Sequence, residues 1–80
     1  MTTFSDPSYK KGRLSKLGDG IALGEIVIHP GDVIEIYLYN RWVKGYVEYN
    51  LWKEALFYEI GEEYHFRLEV GRMVRMMVQV

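Results

Sequence analysis

The chain has 80 residues, 49% of them hydrophobic and 15% aromatic, with a formal net charge of −1. That length makes one domain with a single core, and the absence of cysteine excludes disulfides, zinc thiolates and a thiol nucleophile. No apolar run approaches the roughly 20 residues of a membrane helix, and the polar start, Met1 to Lys10, lacks the apolar stretch of a signal peptide. A cytoplasmic protein without a membrane role is expected.

Charge is unevenly placed. Residues 1–17 hold Lys10, Lys11, Arg13 and Lys16 against Asp6 alone, whereas residues 18–70 hold ten acids against Arg41, Lys44, Lys53 and Arg67. Arg72 and Arg75 make the last segment basic again. The acidic middle repels phosphates, so a nucleic-acid role falls to the two ends.

In chain order, residues 1–11 read as a flexible N-terminal arm and residues 12–80 as the domain. From Gly12 onward the apolar pattern has period two, interrupted by Gly, Pro or Asn every several residues, which predicts a meander of short strands. Gly12–Leu17 and Ile21–Ile28 flank a glycine-rich hairpin turn at Gly18-Asp19-Gly20. His29-Pro30-Gly31-Asp32 suits a type II turn, with proline presetting the second position and glycine supplying positive φ at the third.

Val33–Tyr39 then sets Ile34, Ile36 and Leu38 against Glu35, Tyr37 and Tyr39. Trp42–Tyr49 sets Val43, Gly45, Val47 and Tyr49 against Trp42, Lys44, Tyr46 and Glu48. A two-residue turn at Asn40-Arg41 pairs Tyr39 with Trp42, Tyr37 with Lys44, Ile36 with Gly45 and Ile34 with Val47. Every apolar pair then lands on one face, and a one-residue slip mixes the faces. Ala55–Ile60 is a further strand. Tyr64–Val70 is either a strand or an irregular segment with one helical turn, and Val74–Val80 closes the sheet.

The fold class expected is all-β: five or six antiparallel strands in a small SH3-like barrel, closed so that no sheet edge is exposed. An OB-like barrel is the second choice, because the helix usual between its third and fourth strands is not evident.

The run Gly12-Arg13-Leu14, then Ile28-His29-Pro30-Gly31-Asp32-Val33-Ile34-Glu35-Ile36, Arg41-Trp42-Val43, Val47-Glu48-Tyr49 and Phe57-Tyr58, resembles a family of short bacterial proteins. That family is catalogued as a domain of unknown function and is common on phages and integrative elements. The likeness spans about residues 12–76. It implies a small barrel and a mobile-element origin, and no activity.

Catalytic and metal chemistry has little to build on. His29 and His65 are the only histidines and are not spaced as a ligand pair. The serines and threonines all lie in the first 15 residues, where a rigid nucleophile–base pair is not expected. Glu62-Glu63 reads as a solvated acidic face, and the glycines of the first hairpin do not lead into a phosphate-binding helix. No enzyme activity, cofactor or metal is expected.

Recognition is the remaining class. Tyr37, Tyr39, Trp42, Lys44 and Tyr46 on the outer face of the central hairpin are the candidate partner-binding residues, since large rigid rings bury area at low entropic cost. The partner is a protein chain or a second copy. The alternative is a nucleic-acid-binding barrel using Lys10, Lys11, Arg13, Lys16, Arg72 and Arg75. The two readings differ in whether the basic ends converge on the face of Tyr37 and Trp42. Met73, Met76 and Met77 are read as core filler.

Overall fold

A computed structural model describes residues 8–78. All regular structure in it is β: β1 (Ser8–Leu17), β2 (Gly20–Leu23), β3 (Ile26–Ile28), β4 (Val33–Leu38), β5 (Arg41–Tyr49), β6 (Ala55–Glu59), β7 (His65–Arg67) and β8 (Met73–Val78). The eight antiparallel strands form one curled sheet in the order β3-β2-β1-β8-β4-β5-β6-β7.

Three tight hairpins follow from local sequence. Gly18 and Gly24, with φ of 59° and 61°, open the two-residue loops that join β1 to β2 and β2 to β3. Glycine at that first position matches the turn to the twist of the strands. The segment expected as one strand, Ile21–Ile28, is therefore split into β2 and β3. Tyr39 and Asn40 join β4 to β5 with φ of 51° and 63°, the two-positive-φ pattern of a type I′ turn. The turn before β4 is formed as expected: Gly31 has φ 89°, and the Asp32 amide donates to the His29 carbonyl at 3.0 Å.

The β4–β5 register differs from the expected one by two residues. Tyr37 faces Trp42, Glu35 faces Lys44, Ile36 faces Val43 and Ile34 faces Gly45. A shift of two leaves every side chain on its original face, so alternation cannot distinguish the alternatives. The observed register sets opposite charges across from each other and brings the Tyr37 and Trp42 rings together edge to face, the better cross-strand pairs. It also sets the turn at Tyr39-Asn40 rather than Asn40-Arg41.

Strand β1 starts at Ser8, so Ser8–Lys11, read as part of the arm, belong to the sheet; residues 1–7 lie outside the described residues. Ser8–Arg13 pair with β8 and Leu14–Leu17 pair with β2. The exchange occurs at Leu14, whose amide donates to the Arg72 carbonyl at 2.9 Å and whose carbonyl accepts from Gly71 at 2.8 Å. One long strand thus serves both parts of the sheet and turns its corner. β8 lies between β1 and β4 inside the sheet instead of closing its rim.

The inner face collects Leu14, Ile21, Leu23 and Ile28 from the first three strands against Ile34, Ile36, Val43, Val47, Phe57 and Val74 from the remainder, with Leu68 from the segment after β7. Tyr49 ties the two parts together. Its hydroxyl donates to the Ile28 carbonyl at 2.9 Å and accepts from the Ile21 amide at 3.4 Å. Met76 packs against this core, whereas Met77 on the opposite face is exposed. β3 and β7 are the sheet's edges, so the architecture is a curled half-barrel. At three residues each, they are short, one of the ways natural sheets limit edge pairing. The Tyr64–Val70 segment supplies only β7 and no helical turn.

Candidate functional site

The outer face of the sheet can be built from the register alone. A charged row crosses it: Lys11 on β1 faces Arg75 on β8, Arg75 faces Glu35 on β4, and Glu35 faces Lys44 on β5. On one side lies a row made of Arg13, Met73, Tyr37 and Trp42. On the other, Tyr9 faces Met77, Val33 faces Tyr46, Tyr46 faces Tyr58 and Tyr58 faces His65.

Arg75 organises this surface. Its Nη2 donates to Glu35 Oε1 at 3.0 Å. Its guanidinium carbon lies 4.4 Å from the Trp42 ring centroid and 4.5 Å from that of Tyr9. The cation is held between two aromatic faces, an arrangement worth more as water is excluded. Trp42 also meets Tyr37 edge-on at 5.1 Å. Further along, Tyr58 stacks on Tyr46 at 5.2 Å and on His65 at 4.7 Å. The rings lock one another in place.

Of the residues singled out for partner binding, Tyr37, Trp42, Lys44 and Tyr46 share this face. Trp42 pairs with Tyr37 and not with Tyr39, and although it lies on the outer face it is half-buried beneath Arg75. Tyr39 does not join them. It sits in the turn, 88% exposed, beside a groove lined by Tyr64, Phe66 and Arg72. There the Tyr64 hydroxyl donates to Glu59 Oε1 at 2.7 Å, and this bond together with nearby negative charge raises its pKa above the ordinary tyrosine value.

The basic ends are divided. Lys11, Arg13 and Arg75 converge on the aromatic face. Lys10 is on the opposite side of β1, its side chain against Gly24. Lys16 borders a separate groove with Trp52 and Val70. Arg72 lies over the Phe66 ring at 5.8 Å. His29 lies in the turn before β4, where its backbone amide donates to Asp32 Oδ2 at 2.8 Å, and the His65 ring stacks on Tyr58.

Several surface residues were missed by sequence reasoning. Tyr9, Val33, Ile60 and Met77 are exposed apolar side chains that, with Glu35, Lys44 and the core-side Ile34 and Met76, line a groove of about 450 Å³ that reaches the outer face. Val33 alternates with buried neighbours, so its outward position was legible, but Tyr9 and Met77 reach the groove only through β1–β8 pairing. Leu51 and Trp52, 93% and 77% exposed, form the tip between β5 and β6. Asn50 holds that tip: its Oδ1 accepts from the amides of Trp52 and Glu54, both at 2.9 Å, and its Nδ2 donates to Glu54 Oε1 at 3.0 Å.

Among the described residues no helix is long and apolar enough to cross a membrane. No match to the chain was found among curated proteins or solved structures. A family model does match, over residues 10–76, which takes in every strand of the curled sheet in whole or in part. The chain belongs to the family described as a domain of unknown function (DUF5348).

Proposed function

We propose that this protein is a cytoplasmic, non-enzymatic binding module, an accessory protein of a phage or other mobile element that receives a protein partner on the outer face of its sheet. The observation that carries the reading is the exposed apolar groove beside a charged row already held rigid by the Arg75–Glu35 pair. Preorganised aromatic, methionine and arginine side chains are the composition enriched at protein interfaces, and rigid ones lose little entropy on association. Pairing of the first strand with the last, beside the β4-β5-β6 meander, supports an SH3-like small barrel over an OB-like one.

The nucleic-acid reading draws on Lys11, Arg13 and Arg75 meeting at that face. Against it, the π-faces needed for base stacking are largely in use: Arg75 covers one face each of Tyr9 and Trp42, and Tyr58 is stacked on two sides.

The test is a comparison of baits in extracts of the bacterium that carries the gene. Wild-type protein should retain a protein species that a Tyr46→Ala, Lys44→Glu double variant loses, while Val27→Ala on β3 keeps it. Identical recovery by all three baits would remove the outer face from consideration.

A further inference from the structure

The charge of the outer face around the groove specifies the chemistry of what fits it. Across the three rows described above, Lys11, Arg13, Lys44 and Arg75 stand against one carboxylate, Glu35. Arg75 is paired with Glu35, and Arg13 Nη1 donates to the Gly71 carbonyl at 2.9 Å. Lys11 and Lys44 are exposed and, among the described residues, have no carboxylate within 4.0 Å. Between and beside them lie Tyr9, Val33, Ile60 and Met77. This local surface is cationic in a chain whose net charge is −1. Seven of the ten acids of the middle segment lie outside the strands, among them Asp19, Glu25, Asp32, Glu62 and Glu69, so that, among the described strand residues, the outer face carries only Glu35 and Glu48 against these four cations.

We infer that the partner is an acidic polypeptide segment carrying aliphatic or aromatic side chains between its carboxylates. The apolar side chains enter the groove lined by Tyr9, Val33, Ile60 and Met77, and the carboxylates meet Lys44 at its rim and Lys11 on the face beside it. Complementary charge at the rim speeds encounter and excludes wrong partners, while the buried apolar contact supplies affinity. A second copy meeting the first through this same face sets two cationic rows together, which opposes self-association. The inference rests on the outer face being the binding surface.

Selection from a displayed random-peptide library on wild-type protein tests both levels. Enriched sequences should place Asp or Glu beside Leu, Ile, Phe or Trp. A synthetic peptide of that kind should bind about tenfold or more weakly to a Lys11→Glu, Lys44→Glu variant and to Tyr46→Ala, and more weakly in high salt. Circular dichroism establishes that each variant is folded. Enriched peptides that are basic or uncharged yet depend on Tyr46 overturn the acidic partner and leave the outer-face reading standing. Peptides bound equally by wild type and both variants overturn both. Failure to enrich any sequence overturns the acidic partner, as does a concentration-dependent dimer in sedimentation that Tyr46→Ala abolishes. Tighter binding of a single-stranded oligonucleotide than of any acidic peptide overturns it in favour of nucleic acid.

Discussion

Arg75 and Trp42 show how one side chain's environment sets its cost of removal. The indole is half-buried, lies under the Arg75 guanidinium and meets the Tyr37 ring. Removing it leaves a partly buried cation with one aromatic wall missing, so Trp42→Ala should destabilise the domain by about 1–3 kcal/mol, read from the shift of the urea midpoint. Trp52 is the internal control. It is 77% exposed on a turn held by Asn50 rather than by the indole, and Trp52→Ala should change stability by no more than about 0.5 kcal/mol. If Trp52→Ala proved the costlier of the two, the assignment of Trp42 as the covered tryptophan and Trp52 as the exposed one would be reversed. Tyr64 supplies a pH-dependent signal. Its hydrogen bond to Glu59, the largest cause, raises the phenol pKa. A raised folded-state pKa stabilises the neutral form, so its contribution to stability is complete below the unfolded tyrosine pKa and is lost as pH rises through the folded value. Phenolate absorbance should lose a late-titrating component in Tyr64→Phe.

At the scale of strands and turns, Gly45 and Tyr39 carry the constraints. A Cβ at Gly45 would overlap the Phe57 ring and the Tyr58 carbonyl on the adjacent strand. Phe57 is fully buried there and fills the space that the glycine leaves. Gly45→Ala should therefore cost about 1–3 kcal/mol or more by overpacking, while Val47→Ala, two residues away in the same core, should cost about 1–3 kcal/mol by the opposite route, lost methyl groups. Urea midpoints measure both, and a neutral Gly45→Ala would mean that β6 does not pack as described. Tyr39 is at φ 51° in the hairpin turn, a conformation that asparagine tolerates better than an aromatic residue. Tyr39→Asn should raise stability by about 0.5–1 kcal/mol, and a lower midpoint would show that the exposed ring makes contacts the turn depends on.

For the whole molecule, an all-β sheet of eight strands predicts a far-UV circular dichroism spectrum without helical minima. The sequence alone determined much of this. Period-two alternation located the central strands and assigned Ile34, Ile36, Val43 and Val47 to the core, because neighbouring side chains on a strand must point to opposite faces. Pro30-Gly31 determined the turn before β4, since only a few residues adopt the required dihedrals. Other features were decided by tertiary structure. Alternation fixes a register only up to shifts of two residues, so the pairing of Glu35 with Lys44 and of Tyr37 with Trp42 depended on what neighbours meet across the strands, the Tyr37–Trp42 ring contact among them. The local preference against positive φ at Tyr39 pointed the other way and was overruled. The meeting of Lys11, Arg75 and Glu35 required β8 to enter the sheet between β1 and β4. Contacts between residues 30 or more apart in sequence leave no periodic mark along the chain, which is why Trp42 emerged as a covered ring and Tyr9 and Met77 as neighbours lining one groove only in three dimensions.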